Sequence, residues 1–326
     1  MSFPLPQYIQ FHPTLRCNQR CRFCFNPRKN TGSDMTFDNA LKLLDILLYN
    51  GISEIDIIGG EPLLLDWMPD FIQIAVKSGR SVNLSTNGSS VEMLEKFAAL
   101  NPEKFNIGIS LEGSTEAIHN WLTNSNNFYR ALASIGELIS SGLDPIVKTV
   151  VSRETIDDIP EIVNLLRNME VKRYGLIHMD LMTRDAARKN AALGYCDFLD
   201  QYEIIRKSNS DMTIFKVNAS CFDKQAIPES VRCAGGVTKL SVMPDGSVYP
   251  CNLFQHFPEF NLGNIFEGDF FSIWASPKLH LFRNCGGNRC RINSCPNWHS
   301  CTGGCPAHGY YHHGEDLRHD VRCEEN

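Results

Sequence analysis

Hydrophobic and polar positions follow two periods along the first 185 residues of the chain. Short apolar runs recur six times and predict β-strands over Tyr8–His12, Glu54–Ile58, Ser81–Thr86, Phe105–Leu111, Ile146–Val151 and Arg173–Met179. Between them, apolar residues recur every three or four positions and predict helices over Thr36–Tyr49, Asp66–Ser78, Ser90–Leu100, Phe128–Ser141 and Asp157–Met169. Strands alternating with helices indicate an α/β fold with a parallel sheet, which we expect to curl into a partial (β/α)6 barrel of the TIM type.

The remainder of the chain has a different pattern. A β-hairpin with an Asp245-Gly246 turn is predicted near residues 240–249. From residue 285 onward Gly, Asn, Pro and Cys dominate, and such a segment needs cross-links or metal to be ordered because it has little apolar content. We therefore expect three parts: a barrel over 1–185, a helical connector over 186–232, and a cysteine-rich, loop-rich domain over 233–326.

Composition and charge exclude several classes of protein. The chain has 326 residues, 43% hydrophobic and 21% charged, with a formal net charge of −6. No basic tract is present, so nucleic acid is not an expected partner. No run of eighteen apolar residues occurs, so a membrane span is not expected either. The first residues lack the features of a secretory signal, and we expect the protein to be cytoplasmic.

Cysteine is the unusual component. Thirteen cysteines are present, three of them within eight residues near the start and eight between residues 233 and 323. Because cytosolic thiols stay reduced, dense cysteine in an intracellular enzyme indicates metal binding more often than disulfides.

Candidate chemistry follows four successive predicted strands. The loops there contain Cys17, Cys21 and Cys24 in a C-x3-C-x2-C pattern, then Gly59-Gly60-Glu61-Pro62, then Asn87, then Ser110. In α/β barrels the loops at this end of the strands carry function. Zinc would normally require a fourth protein ligand, whereas a [4Fe–4S] cluster on three thiolates would keep one iron open. The glycines allow close backbone approach, the glutamate can accept from an ammonium group, and the proline fixes the turn.

C-x3-C-x2-C after a first strand with Gly-Gly-Glu-Pro after a second resembles the radical S-adenosylmethionine (SAM) superfamily. The resemblance implies that Cys17, Cys21 and Cys24 hold a catalytic [4Fe–4S] cluster whose open iron binds SAM. It further implies a set of SAM contacts: Phe23 and Met179 near adenine, Gly59, Gly60, Glu61 and Pro62 at the methionyl amine, and Asn87 and Ser110 at the ribose or methionyl part. Such enzymes cleave SAM to a 5′-deoxyadenosyl radical that abstracts hydrogen from the substrate.

The C-terminal cysteines resemble the SPASM domain, which holds two auxiliary [4Fe–4S] clusters. The resemblance rests on Cys233-x12-Gly246-x4-Cys251 and on Cys295-x5-Cys301-x3-Cys305 followed by Cys323. It implies one cluster on Cys295, Cys301 and Cys323 and another on Cys233, Cys251 and Cys305.

The chain departs from that domain at one position. The family places a further cysteine three positions before Cys295, where this chain has Ile292. We take Cys290 as the displaced ligand and Cys285 as the fourth ligand of the other cluster; the reverse assignment, a cluster with one open iron, and zinc binding stay open. Cys196 and Cys221 are interpreted as ordinary thiols.

Two full auxiliary clusters favour, by resemblance, a peptide or protein substrate and a product such as a crosslink, thioether, epimer or oxidised side chain. The alternative is a small molecule: a sugar alcohol, an aminocyclitol or a tetrapyrrole. A non-catalytic iron–sulfur or zinc protein would not explain Gly-Gly-Glu-Pro. Expected partners are an external electron donor such as flavodoxin or ferredoxin and a separate leader-binding protein.

Overall fold

A computed structural model describes residues 4–26, 32–223, 231–283, 295–314 and 320–323. Its sheet has nine strands in the order β7-β6-β5-β4-β3-β2-β1-β8-β9. The strands are β1 (Tyr8–Phe11), β2 (Glu54–Ile57), β3 (Ser81–Thr86), β4 (Phe105–Ser110), β5 (Ile146–Val151), β6 (Arg173–His178), β7 (Thr213–Val217), β8 (Lys239–Val242) and β9 (Val248–Tyr249). All neighbours pair in parallel except β8 and β9, which form the predicted hairpin.

Helices cover one face of this sheet in the barrel. They are α1 (Phe37–Tyr49), α2 (Met68–Lys77), α3 (Val91–Leu94), α4 (Glu116–Thr123), α5 (Phe128–Ser140) and α6 (Ile159–Asn168). Alternate strand residues such as Ile55, Ile57, Val82 and Leu84 are buried with the apolar helix positions in one core. This alternation turns the intervening residues of each strand toward the interior of the barrel. The sheet does not close, and the predicted partial α/β barrel is confirmed.

The structure differs from the sequence prediction in three elements. The region predicted as a helical connector contains α7 (Ala186–Ala191) and α8 (Tyr195–Ser208), but also β7, which pairs with β6. Strand β8, within the predicted C-terminal domain, pairs with β1 and so belongs to the barrel sheet. Helix α4 was not predicted because its eight residues are too short to show a period; the Thr115 side chain caps it by accepting from the Ile118 backbone N–H.

The described residues of the C-terminal region, 231–283, 295–314 and 320–323, contain little regular structure. The helices of this region are α9 (Phe270–Trp274), α10 (His280–Arg283) and α11 (Pro306–His313). Buried polar side chains share its interior with aromatic rings, and Arg232, Arg322, His308 and Asp320 are all at most 2% exposed. Among the described residues, no helix combines the length and apolar character that crossing a membrane requires.

Candidate active site

A cavity of about 360 Å³ lies at the carboxyl ends of the barrel strands. Its wall brings together most of the residues predicted as a SAM site: Cys17, Cys21, Cys24, Gly59, Gly60, Glu61, Asn87 and Ser110. The four loops that carry them are far apart in sequence and meet because parallel strands end at the same edge. Three thiols on the wall of one cavity fit a cluster whose open iron faces a ligand.

The loop that carries the three cysteines is fixed by backbone hydrogen bonds to α4. The Arg20 N–H donates to the Thr123 carbonyl at 3.1 Å, and the Arg22 N–H donates to the Leu122 carbonyl at 2.9 Å. The Arg22 guanidinium also lies over the Trp121 ring, 4.1 Å from its centre. The loop is therefore held in place by the helix that the sequence pattern did not reveal.

Gly59 and Gly60 are required by the approach of the cysteine loop itself. The Gly60 N–H donates to the Thr14 carbonyl at 2.9 Å, and the Glu61 N–H donates to the Arg16 carbonyl at 2.7 Å. Gly59 has φ +149°, and a Cβ there would lie 2.5 Å from the Thr14 carbonyl oxygen; a Cβ at Gly60 would overlap the Arg16 carbonyl. The two glycines thus place the second loop directly against the residues that lead into Cys17.

Glu61 is buried and already holds three hydrogen bonds. One carboxylate oxygen accepts from the Thr86 hydroxyl at 2.6 Å and from the Leu63 N–H at 3.1 Å, and the other accepts from the Asn87 N–H at 2.7 Å. Burial raises the pKa of Glu61 and these bonds oppose that rise. A carboxylate offers about four acceptor positions, so one is left for an ammonium group. Pro62 begins the 3-10 turn that Glu61 caps.

Asn87 and Ser110 occupy different situations on the cavity wall. The Asn87 amide donates to the Asn18 side chain at 2.7 Å and accepts from the Ser89 N–H at 3.0 Å, so it links the third loop to the cysteine loop. Ser110 is the last residue of β4 and is half-buried. Asn87 therefore has a structural function in addition to any contact with a ligand.

Phe23 and Met179 lie together beside a second cavity of about 410 Å³. Met179 follows β6 and packs with Leu181 and Ala192, and the Phe23 ring packs against that group. The structure thus places the two residues expected at adenine next to one another.

Four buried thiols converge in the C-terminal region, and one of them was not predicted. Cys233 and Cys251 lie side by side, and a Cβ on Gly235 would be within 3.7 Å of atoms of both. The Cys221 thiol hydrogen-bonds to the sulfur of Cys305. Burial raises the pKa of the Cys251 thiol, and the nearby thiols of Cys233 and Cys305 raise it further. The sequence analysis interprets Cys221 as an ordinary thiol because small buried cysteines are common. Its tertiary position beside Cys305 indicates a ligand instead.

The other predicted auxiliary-cluster set includes Cys295, Cys301 and Cys323, which lie within the described residues. Tyr195, at the start of α8, lies near both Cys301 and Cys323, and the next residue, Cys196, lies near Cys295. The Asn297 amide donates to the Cys196 sulfur at 3.3 Å. Cys285 and Cys290 lie outside the described residues.

A buried ionic network joins the C-terminal region to the end of β6. The Arg322 guanidinium donates to both oxygens of Asp320, at 3.0 and 2.7 Å, and to the Met179 carbonyl at 3.1 Å. Asp320 in turn accepts from the Cys305 N–H at 3.0 Å, and His308 accepts from the Leu181 N–H at 2.8 Å. Burial would raise the pKa of Asp320, but Arg322 lowers it well below its usual range.

A barrel with three cysteines at its carboxyl edge, followed by a region of converging thiols, defines a class of iron–sulfur enzyme. Residues 11–166 match the radical SAM superfamily model, and residues 233–306 match SPASM, an iron–sulfur cluster-binding domain. The chain belongs to the radical SAM superfamily and carries a SPASM domain. Domains of these families bind [4Fe–4S] clusters and SAM.

Several known proteins resemble the chain along most of its length. The antilisterial bacteriocin subtilosin biosynthesis protein AlbA of Bacillus subtilis (strain 168) is 24% identical, covering 93% of this chain and 68% of AlbA. A PqqA peptide cyclase of Streptomyces rochei is 24% identical, covering 95% and 87%. An AdoMet-dependent heme synthase of Methanosarcina barkeri (strain Fusaro / DSM 804) is 25% identical, covering 98% and 96%.

Solved structures show the same fold. Streptococcus suis SuiB bound to S-adenosylmethionine has a TM-score of 0.80 at 18% identity, covering 99% of this chain and 78% of SuiB. SuiB has also been solved with its precursor peptide SuiA.

Proposed function

We propose that this protein is a peptide-modifying radical SAM enzyme whose product carries a crosslink, thioether, epimerised or oxidised residue. The observation that carries the proposal is the character of the cavity beside the three cysteines. Its wall continues into the barrel through polar side chains (Gln10, Asp56, Ser85, Lys148 and Asn252) and apolar ones (Phe25, Ile58, Ile177 and Val217). The polar side chains can hydrogen-bond to the amides of a peptide, and the apolar ones can pack against its side chains. The peptide-related names of AlbA and PqqA cyclase support the same choice.

The residues assigned to each cofactor follow from the site. Cys17, Cys21 and Cys24 would hold the catalytic [4Fe–4S] cluster, with Glu61 at the SAM amine and Phe23 beside adenine. When bound, cluster and SAM supply a 5′-deoxyadenosyl radical that removes a hydrogen atom from the substrate. The chain orients SAM through the glycine loop and separates the reacting atoms from bulk water.

We assign one auxiliary cluster to Cys221, Cys233, Cys251 and Cys305, replacing the predicted use of Cys285 there. The other would take Cys295, Cys301 and Cys323. Its fourth ligand would be Cys290 or Cys285, with Cys196 as an alternative because it lies beside Cys295. An external flavodoxin or ferredoxin would supply electrons in the cytoplasm, and a separate protein would present the leader part of the peptide.

The test uses anaerobically reconstituted enzyme with SAM, dithionite and a synthetic copy of a short peptide encoded beside the gene. We expect 5′-deoxyadenosine and a change in the peptide that tandem mass spectrometry or chiral amino-acid analysis locates. A parallel incubation uses Fe-coproporphyrin III, because heme-synthase relatives make a tetrapyrrole the second candidate. Conversion of the porphyrin with an unchanged peptide would overturn the proposal.

A further inference from the structure

The interior of the barrel carries polar side chains at a level where barrels are usually filled by branched aliphatic ones. Inward-facing positions of the central strands carry Gln10 on β1, Asp56 on β2, Ser85 on β3 and Lys148 on β5. All four line the same cavity as the three cysteines. Two opposite charges, those of Asp56 and Lys148, are therefore open to a substrate that enters this cavity.

Lys148 crosses the interior because Gly108 of β4 leaves room for it. A Cβ on Gly108 would lie 2.5 Å from the Lys148 Cε and 2.6 Å from its Nζ. The ammonium donates to the Ser85 hydroxyl at 3.0 Å and is close enough to Asp56 for their charges to interact. The pair is thus built into four strands and is not a surface contact.

Two further groups stabilise the carboxylate of Asp56. The Gln10 side chain hydrogen-bonds to it, and the Gln10 Oε1 accepts from the Asn252 backbone N–H at 3.3 Å, which directs the amide NH2 toward Asp56. Lys239 of β8 is close enough for its charge to act on Asp56, and Tyr8 and Glu54 are the neighbouring titratable groups.

Few ionisable groups on this wall are available for proton transfer. The thiols of Cys17, Cys21 and Cys24 are assigned to the cluster, and three hydrogen bonds occupy Glu61. Asn252 offers only an amide, which is not a base. Among the described residues that line the cavity, Asp56 and Lys148 are the remaining ionisable groups, and of these the carboxylate is the base.

We propose that Asp56 is the proton acceptor for an oxidative modification of the bound peptide; this rests on the proposed function. Hydrogen-atom abstraction leaves a carbon radical on the peptide and yields 5′-deoxyadenosine. Formation of a new bond from that carbon to a nitrogen, oxygen or sulfur atom then releases one proton and one electron. An auxiliary [4Fe–4S] cluster, when bound, would supply the one-electron acceptor, and the Asp56 carboxylate takes the proton.

The test is Asp56→Asn, which keeps the size of the side chain and removes the base. With the peptide that the parent enzyme modifies, we expect product formation to fall about 100- to 10,000-fold, the usual contribution of a general base. Iron content, SAM affinity and peptide affinity should stay within threefold of the parent, and 5′-deoxyadenosine should still form. The ratio of product to 5′-deoxyadenosine therefore drops, which a binding defect alone would not cause.

A second variant keeps the test decisive if removal of the charge disturbs Lys148. Asp56→Asn combined with Asn252→Asp places a carboxylate at the other residue that Gln10 contacts in the same cavity. We expect the double variant to form product at least ten times faster than Asp56→Asn alone. The matched control is Glu54→Gln, two residues earlier on β2, where Asn83 donates to the carboxylate at 2.6 Å; its product yield should stay within twofold of the parent.

Three results would overturn the assignment of Asp56. They are a product rate within threefold of the parent in Asp56→Asn, a tenfold weaker peptide affinity with an unchanged product ratio, and a parent product with no net loss of hydrogen, such as an epimer. A parent enzyme that leaves the peptide unmodified would instead contradict the proposed function, so the two failures are distinguishable.

Discussion

Glu112 in the barrel and Asp320 in the C-terminal region are both buried carboxylates with opposite surroundings. Glu112 accepts from the Val150 N–H at 2.8 Å, and burial raises its pKa to about 8. Asp320 pairs with Arg322, which outweighs burial and lowers the pKa of Asp320. Glu112 has no cationic partner among the described residues, and its raised pKa keeps it a neutral acid below about pH 8. The described part of the C-terminal region has few regular elements and uses ionic contacts and thiols where the barrel uses packing.

The largest effect is expected at the three cysteines of the barrel. Two auxiliary clusters and one catalytic cluster correspond to about 12 irons per chain. Replacing Cys17, Cys21 and Cys24 together by Ala should remove about four irons and abolish SAM cleavage, while Cys221→Ala should affect only auxiliary iron. Iron analysis and 5′-deoxyadenosine formation measure both. Full iron in the triple variant would contradict the cluster assignment.

Arg322→Met tests whether ionic contacts support the C-terminal region. Removing the cation leaves Asp320 buried without its main partner, so the variant should lose about 3–5 kcal/mol of stability. The control is Arg167→Met, whose ion pair with Asp211 is exposed to solvent and should contribute far less to stability. Urea unfolding followed by circular dichroism under argon measures both. Equal losses in the two variants would erase the contrast between the regions.

Glu61→Gln is expected to weaken SAM binding about ten- to hundred-fold, because a charge-assisted hydrogen bond contributes roughly 1.5–3 kcal/mol. If the NH2 group of the new glutamine faces the Asn87 N–H, two donors meet, and the loop after β3 that contains Asn87 should also shift. Equilibrium binding of SAM to the cluster-loaded protein measures the effect. An unchanged dissociation constant would mean that Glu61 serves the loop alone.

The pH dependence of the free energy of unfolding should have opposite signs at the two buried carboxyl groups, Glu112 and Asp320. The Glu112 pKa is raised, so its stabilising contribution is present below its ordinary value of 4.5 and is lost as pH rises through about 8. Asp320 has a lowered pKa, so its contribution is present above its ordinary 3.8 and is lost as pH falls. Glu112→Gln should therefore flatten the loss of the urea midpoint between about pH 4.5 and 8. A slope identical to the parent would refute this assignment.

The sequence predicts the barrel well because strand and helix periods are local. All six predicted parallel strands agree with the structure within one residue at each end, and the candidate SAM residues follow from where strands end. The same reasoning fails at Cys221 and Asp56. Cys221 meets Cys305 only through a tertiary contact. Asp56 lies in an ordinary strand pattern, and the sequence does not show that its side chain lies near Lys148 of another strand inside the barrel.

The pairing of β1 with β8 has a consequence for synthesis on the ribosome. Tyr8 is the partner of Lys239, so one edge of β1 waits for more than two hundred further residues before it is covered. Until then the nascent chain exposes an open strand edge directly before the cysteine loop, a state prone to mispairing. Strands β1 to β7 can pair before β8 is made, so the late arrival of β8 leaves this one edge of β1 uncovered until most of the chain has been synthesised.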